Sequence, residues 1–235
     1  MKISVVIPFY NEEANIAQLA EELNAVADKY DKFEAVFVDD GSSDGTWDEI
    51  KKHAKKFTMI TPLQMPVNSG QSAAMLAGLN RASGDIMVTM DGDLQNDPAD
   101  IPKLIDAMEE TDVVCGYRGN RKDSRSKLIA SRIGNTVRNW FTKDGARDTG
   151  CSLKAFKRKC VADLPPVEGV HRFMPAYFKL HERSVKEVCV NHRKRIHGES
   201  KYTNLKRLPR TLFDLMGFCW YRKRLIHSPA TSDSR

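Results

Sequence analysis

Short apolar runs alternate with helical patterns along the first half of the chain. The runs predict strands near residues 3–7, 35–38, 59–63, 86–90 and 113–115. The intervening segments predict helices over residues 12–29, 46–56, 71–82 and 98–110. The second half is less regular and predicts helices over residues 124–142 and 171–181 and strands near 153–156 and 185–190. Continuous apolar strands separated by helices are typical of a mostly parallel sheet covered on both faces, so the sequence predicts an α/β fold.

Residues 203–224 combine apolar positions at helical spacing with basic flanks, and Asp214 is the one acidic residue among them. This pattern favours an amphipathic helix lying on an anionic membrane surface, and the alternative is a C-terminal helix packed on the core. No apolar run reaches the roughly 18 residues of a transmembrane helix. The N-terminal apolar run is too short for a secretory signal. We therefore expect a cytoplasmic protein, peripheral on the inner face of the membrane.

The charge of the chain divides unevenly along its 235 residues, although the net charge is only +6. Residues 1–110 carry 9 Lys/Arg against 20 Asp/Glu, whereas residues 111–235 carry 28 against 11. An acidic half suits a cation, and a basic half suits an anion such as a phosphate, a nucleic acid or an anionic membrane. The five cysteines form no C-x-x-C pair, so we expect neither a disulfide framework nor a structural zinc site.

Polar clusters follow three of the predicted strands, at Pro8–Glu12, Asp39–Asp44 and Asp91–Gln95. In open parallel sheets, ligands bind at the carboxyl ends of the strands. Asp and Gly at strand ends also serve turns for purely structural reasons, but three such clusters together favour a site. The sequence therefore predicts one binding site at this edge of the sheet.

The third cluster predicts a metal site. Asp91 and Asp93 end a buried strand, and neighbouring carboxylates repel each other unless a cation bridges them. Two carboxylates plus the phosphates of a nucleotide supply the oxygen ligands that Mg²⁺ or Mn²⁺ prefers. Gln95 would add another oxygen or position a ligand.

The first two clusters predict a nucleotide site. The carboxylates of Asp39 and Asp40 can accept hydrogen bonds from a base N–H or from ribose hydroxyls, and Pro8, Tyr10 and Glu12 would wall the base and ribose. The chain contains neither G-x-G-x-x-G nor G-x-x-x-x-G-K-[ST]. A dinucleotide-binding fold and a P-loop nucleotidase are therefore disfavoured.

The segments Val5–Glu12, Val38–Thr46 and Asp91–Gln95 resemble those of glycosyltransferase family 2, whose members have the GT-A fold. The most similar branch is the one that transfers sugars to polyprenyl phosphates. The resemblance implies an inverting transfer from a UDP- or GDP-sugar to a polyprenyl phosphate, with Mg²⁺ or Mn²⁺ as cofactor. It covers roughly residues 3–220.

The same resemblance implies roles for individual residues. The nucleotide would be held by Pro8, Tyr10, Glu12 and Asp40, and the metal by Asp91, Asp93 and Gln95. The acceptor phosphate and the departing diphosphate would be held by Arg118, Lys127, Ser131, Asn135, Asp148, Arg195, Ser200, Lys201 and Tyr202. Lys127 stands where the branch frequently has an arginine, which keeps the charge but loses the bidentate fork.

The sequence leaves alternatives to this function. A family 2 transferase could use a saccharide hydroxyl as acceptor, with Asp148 as the base, or Asp148 could instead orient nearby donors in a turn. A nucleic-acid-binding domain is disfavoured, because no aromatic–basic stacking platform is present and paired carboxylates repel phosphates without a metal.

The expected organisation is a catalytic domain followed by a membrane-binding helix. The catalytic domain covers residues 1–200, with a donor and metal part at 1–115 and an acceptor part at 116–200. Residues 201–226 form the amphipathic juxtamembrane helix, and residues 227–235 form a disordered tail. A membrane-anchor partner or a second copy of the chain is a further expected partner.

Overall fold

The computed structural model describes residues 1–119, 136, 138–194 and 204–225, with the backbone alone for 204–210. The strands are β1 Ile3–Phe9, β2 Phe33–Asp39, β3 Ile60–Gln64, β4 Ile86–Thr89, β5 Val113–Arg118, β6 Lys154–Lys157 and β7 Val185–Val190. The α-helices are α1 Glu13–Ala27, α2 Thr46–Lys56, α3 Gln71–Arg81, α4 Ile101–Asp106, α5 Val170–Leu180 and α6 Asn204–Arg224. Short 3-10 helices cover Pro98–Asp100 and Arg158–Asp163. Residues 138–142 are also helical.

The strands form a seven-stranded sheet in the order β3-β2-β1-β4-β6-β5-β7. β6 runs antiparallel to both of its neighbours, and the other strand pairs are parallel. The predicted mostly parallel α/β sheet is therefore confirmed. Because β1, β2 and β4 are parallel, their carboxyl ends meet at one edge of the sheet. The three polar clusters of the sequence all follow these ends.

Successive residues of β1 point to opposite faces of the sheet, as the two-residue period of a strand requires. Val5 and Ile7 face one core layer, which they share with α1 and α4. Val6 faces the other layer, together with Phe178 of α5 and Phe218 of α6. All these side chains are buried. Apolar residues on both faces explain why the strands have continuous rather than alternating apolar sequences.

Helix α6 packs on α5 through one face and exposes the other. The ring of Phe218 stacks on Phe173 with 5.8 Å between centroids, and Arg172 Nη1 lies 3.2 Å from Asp214 Oδ2. Phe213 and Trp220 are 73% and 64% exposed. One face of α6 therefore packs on the core, as the alternative prediction had it, and the other face exposes apolar side chains. The helix is amphipathic, and its contact with a membrane stays a prediction. Among the described helices, none has the length and apolar content needed to cross a bilayer.

Candidate active site

The loops after β1 and β2 hold each other through short hydrogen bonds. The backbone N–H of Asn11 donates to Ser42 Oγ at 2.9 Å, and that of Ser43 donates to Asn11 Oδ1 at 2.8 Å. Tyr10 between them is 38% exposed, and Glu12 Oε2 accepts from Asn15 Nδ2 at 2.5 Å. The first two predicted clusters therefore lie side by side.

Asp39 and Asp40 at the end of β2 are both buried, and the protein already hydrogen-bonds them. Asp39 Oδ1 accepts from the N–H of Ser42 at 3.2 Å, so this carboxylate holds the turn. Asp40 accepts from the N–H groups of Ser69 and Gly70 at 2.8 and 2.9 Å. Burial raises the pKa of Asp40, the charge of Asp39 adds to this, and the two N–H donors oppose it. A nucleotide at this position would share Asp40 with the start of α3.

Asp91 and Asp93 follow β4 at the same edge of the sheet. Burial above all, and then the charge of Asp93, raise the pKa of Asp91 to about 6. The Ser152 hydroxyl, Lys154 and Arg118 oppose this shift. The two carboxylates are therefore close enough to repel each other. Asp93 itself is 8% exposed.

The start of α3 connects the second and third clusters. Gly70 donates its N–H to Asp40, and the next residue, Gln71, donates from Nε2 to Asp91 Oδ1 at 2.7 Å. Gly92 lies against Phe9 of β1, where a Cβ atom would stand 2.4 Å from the ring. A glycine is therefore required between the two aspartates. The structure thus brings together residues that the sequence predicted as one site.

Asp91 and Asp93 fit a divalent cation as a pair of ligands rather than as a complete cage. Two repelling, largely buried carboxylates are the arrangement that a cation relieves. Among the described residues, no group of three or more His, Cys, Asp or Glu side chains could hold a metal. A cation bound here would need further ligands besides these two carboxylates. Gln95 lies beside the pair: its backbone N–H donates to Asp93 Oδ1 at 3.1 Å, and its Nε2 lies 3.5 Å from His192 Nε2.

Arg118 at the end of β5 forms a bidentate ion pair with Asp148. Its Nε and Nη2 donate to the two carboxylate oxygens at 2.6 and 2.8 Å. A Cβ atom at Gly150 would stand 2.8 Å from Arg118 Nη2, so a larger residue there would require the guanidinium to shift. The pair aligns loop 148–150 beside the end of β5.

A cavity of about 420 Å³ opens beside Asp91 and Pro8. Sequence reasoning missed several of the residues that line it. These are Gln71, Arg138, Lys154 and His171. Lys154 is 2% exposed in β6 and donates to the carbonyl of Cys151. The sequence did offer one indication of Lys154, because a lysine inside a predicted apolar strand is unusual. Lysine is almost never fully buried unless it is paired.

His171, in the first turn of α5, contacts the start of α3. Ser72 Oγ accepts from the N–H of Gly169 at 3.0 Å and lies 2.7 Å from His171 Nδ1. Ser72 is buried, so this contact fixes His171 against α3 in the lining of the cavity.

Seven of the predicted site residues lie outside the described residues. They are Lys127, Ser131, Asn135, Arg195, Ser200, Lys201 and Tyr202.

The fold and the site together define a class of protein. It is an α/β protein with a mostly parallel sheet and a candidate ligand site at the carboxyl ends of its strands. Solved structures share the fold. Glucosyl-3-phosphoglycerate synthase from Mycobacterium tuberculosis, in complex with phosphoglyceric acid, matches with a TM-score of 0.70 at 22% identity. The match covers 97% of this chain and 81% of that one.

The family model for glycosyl transferase family 2 matches residues 4–164, and the chain belongs to this family. It is similar to dodecaprenyl-phosphate galacturonate synthase of Rhizobium johnstonii, with 34% identity over 95% of this chain and 68% of the relative. It is also similar to undecaprenyl-phosphate 4-deoxy-4-formamido-L-arabinose transferase of Aeromonas hydrophila, with 36% identity over 91% and 66%. The chain thus spans about two thirds of the length of these relatives.

Proposed function

We propose that the chain moves a sugar from a nucleotide-diphosphate sugar to a polyprenyl phosphate, with inversion at the anomeric carbon and with a divalent cation. The observation that carries this proposal is the cavity in which Asp91 shares a lining with the buried cations Arg138 and Lys154. A donor diphosphate held through a metal and an anionic acceptor need such adjoining environments. The names of the two relatives, which specify dodecaprenyl and undecaprenyl phosphate, support a lipid phosphate as acceptor.

In this proposal the donor occupies the acidic edge. Asp91 and Asp93 would hold the diphosphate through Mg²⁺ or Mn²⁺, and Gln95 would add a further oxygen or position a ligand. Pro8, Tyr10, Glu12, Asp39 and Asp40 surround or support the base and ribose. Complexes of the similarly folded synthase with UDP and Mn²⁺ or Mg²⁺ support a uridine donor and a divalent ion.

The proposed chemistry is one displacement step. An oxygen of the acceptor phosphate forms a bond to the anomeric carbon while the bond from that carbon to the donor phosphate oxygen breaks, and the nucleoside diphosphate leaves. A phosphate monoester near pH 7 is largely a dianion, so no proton has to be removed from the nucleophile. A bound divalent cation neutralises charge on the departing diphosphate. The chain's own task is to hold two anions in line against their repulsion.

Arg118 and Asp148 support a positioning role in this step. The bidentate pair fixes the guanidinium and commits both oxygens of Asp148. A carboxylate engaged in this way is better suited to orienting Arg118 than to removing a proton from a sugar hydroxyl. The geometry therefore favours the phosphate acceptor over the hydroxyl acceptor. In the same proposal, Lys127, Ser131 and Asn135 complete the acceptor site, and Arg195, Ser200, Lys201 and Tyr202 cover the diphosphate.

We further propose that the chain works at a membrane surface, with a catalytic domain at residues 1–200, a juxtamembrane helix at 201–226 and a tail at 227–235. The exposed face of α6 carries large apolar side chains, and Trp140, 76% exposed, adds another. Arg222 Nη1 donates to the carbonyl of Phe141 at 2.7 Å, which ties the two segments together. The last turn of α6 is basic, which matches an anionic lipid surface.

The direct test is product formation by the full chain. It is incubated with UDP- or GDP-sugars, Mn²⁺ or Mg²⁺ and a short-chain polyprenyl monophosphate, and the glycosylated lipid is identified by mass spectrometry. A thermal-shift screen with UDP and GDP selects the donor base beforehand. The matched polyprenyl alcohol is the control acceptor. Transfer to the phosphate and not to the alcohol is expected. Transfer only to saccharide or alcohol hydroxyls would overturn the proposal.

A further inference from the structure

Arg138 is a buried arginine, and the described residues accept hydrogen bonds from only one of its three guanidinium nitrogens. It is 7% exposed, and its Nη2 donates to Asn139 Oδ1, Asp144 Oδ1 and the carbonyl of Ala146 at 2.7, 3.2 and 3.0 Å. Its Nε and Nη1 have no hydrogen-bond partner among the described residues. Unpaired buried donors, charged ones above all, cost substantial stability. Asp144 offsets the charge, but the open N–H groups need an acceptor.

The position of Arg138 indicates where that acceptor comes from. Arg138 lines the same cavity as Asp91, together with Thr149 and Gly150. These two residues follow Asp148, which is paired with Arg118. Loop 148–150 therefore has two contacts: its Asp148 pairs with Arg118, and its other residues line the cavity together with Arg138.

The donor groups of Arg138 match a phosphate better than a sugar. A phosphate monoester offers three strong acceptor oxygens and a negative charge, and arginine–phosphate hydrogen bonds are charge-assisted. The carboxylates of Asp144, Asp148 and Glu187 already favour the charged guanidinium, but a neutral sugar hydroxyl would satisfy only one of its open N–H groups. Pro8, Gln71 and Asp91 line the same cavity, and in the proposed function the donor diphosphate would be held there through a divalent cation.

We propose that Arg138 binds the phosphate of the acceptor through its open N–H groups, as a second arginine beside Arg118. This inference rests on the proposed function, because it presupposes a phosphate-bearing acceptor. Asp144 and the Ala146 carbonyl hold Nη2 of the guanidinium before any ligand arrives, and binding a phosphate would require the buried Nε and Nη1 to become accessible from the cavity. The acceptor then completes the hydrogen bonds of a group that the fold alone leaves unsatisfied.

The experiment compares Arg138→Gln with Arg183→Gln in the full chain. Arg183 is a matched control, because it also pairs with a buried carboxylate, Asp163, at 2.7 and 3.1 Å, and it is not among the residues that line the cavity. Initial rates are measured with varied short-chain polyprenyl monophosphate at saturating donor, and then with varied donor. For Arg138→Gln we expect the acceptor KM to rise about tenfold or more, which is the worth of one charge-assisted hydrogen bond. The donor KM should stay within about twofold in both variants.

Arg138→Lys guards against a failure of Arg138→Gln to fold. Lysine keeps the ion pair with Asp144, but its single ammonium cannot serve Asp144 and a phosphate in the way that a guanidinium does. We expect a folded variant whose acceptor KM rises severalfold. An unchanged acceptor KM in Arg138→Lys overturns the inference, as does an Arg138→Gln variant whose donor KM rises while its acceptor KM does not. If the wild-type chain itself transfers no sugar to polyprenyl phosphate, the proposed function is what fails.

Discussion

Carboxylates at the two edges of the sheet have pKa values shifted in opposite directions. At the amino-end edge, hydrogen bonds and a nearby lysine stabilise the charged form of Glu34. Glu34 at the start of β2 accepts from Ser4 Oγ at 2.7 Å and from the N–H of Ser83 at 3.0 Å, with Lys2 Nζ 3.4 Å away. Burial would raise the pKa of Glu34, but these partners outweigh it and lower the pKa to about 2. Here the charged form of the carboxylate is the stable one.

The carboxyl-end edge does the reverse. Asp93 is as buried as Glu34, with 8% of each residue exposed. The pKa of its neighbour Asp91 rises to about 6, because burial and then the charge of Asp93 outweigh the Ser152 hydroxyl, Lys154 and Arg118. At Glu34 the hydrogen-bond partners outweigh burial, whereas at Asp91 burial and a second negative charge outweigh the partners. Holding a carboxylate pair in this way costs stability, and such costs are characteristic of functional sites. Glu34 therefore supports the fold, and the Asp91–Asp93 pair is the candidate for binding a ligand.

Of the substitutions considered, replacing Asp93 has the largest expected effect on activity. For Asp93→Asn we expect transfer activity to fall by roughly 10²–10³-fold, because a charge that stabilises the departing diphosphate is lost. Metal-dependent nucleotide binding should disappear as well. The metal-free protein should be at least as stable as the wild type, since the repulsion on Asp91 is relieved. Calorimetry of UDP or GDP with and without Mn²⁺, and urea unfolding, measure these effects.

Asp106→Asn is the matched control for this prediction, because Asp106 is an exposed carboxylate on α4. It should leave activity and nucleotide affinity unchanged. If Asp93→Asn kept its metal-dependent affinity, the metal site would be wrong. If it lost stability and activity together, Asp93 would be structural like Glu34.

The sequence predicted this edge well because its signals are local. A continuous apolar strand, a turn and an acid pair occur within a few residues at Ile86–Gln95, and parallel topology brings such ends together. The strand order was less accessible. β6 inserts antiparallel between β4 and β5, and no local pattern encodes which neighbour a strand chooses.

The cavity lining was missed for the same reason. Gln71 reaches Asp91 across 20 residues of chain, and Ser72 reaches His171 across 99. These contacts exist only once α3 and α5 dock on the sheet. Arg138 is one of many basic residues in its segment, and only burial and the open N–H groups distinguish it.

Replacing Asp148 tests whether the Arg118 guanidinium depends on its carboxylate partner, as Glu34 depends on its hydrogen-bond donors. For Asp148→Asn we expect the acceptor KM to rise roughly 10- to 100-fold, because an amide cannot hold the Arg118 guanidinium as a bidentate carboxylate does. Donor affinity should be unchanged, and kcat should fall much less than the acceptor KM rises. Steady-state rates with both substrates varied give this split. Near-complete loss of kcat with intact donor and acceptor binding would instead identify Asp148 as a base and favour a hydroxyl acceptor.

Replacing Trp220 tests the proposed membrane-binding face of α6, where exposed rather than buried side chains are predicted to contact the ligand. For Trp220→Ala we expect about tenfold weaker binding to anionic phosphatidylglycerol vesicles, the worth of one large apolar side chain. Val67→Ala is the control, because Val67 is equally exposed, at 64%, and lies in the segment between β3 and α3. Vesicle co-sedimentation at two salt concentrations measures both variants. Equal binding of the two variants would rule out the α6 face as the docking surface.

Replacing Glu34 has the smallest expected effect and tests the satisfied edge. For Glu34→Gln we expect the free energy of unfolding to fall by about 1 kcal/mol at pH 7, since the amide still accepts some hydrogen bonds but loses the charge that Lys2 and the Ser83 N–H favour. The folded pKa is depressed from 4.5 to about 2, so the wild-type advantage is fully present above about pH 4.5 and is lost as the pH falls toward 2. Urea unfolding at pH 7 and pH 3 checks the sign. Nucleotide affinity should not change, and a variant that lost nucleotide affinity while keeping its stability would show that the two edges are not separate in function.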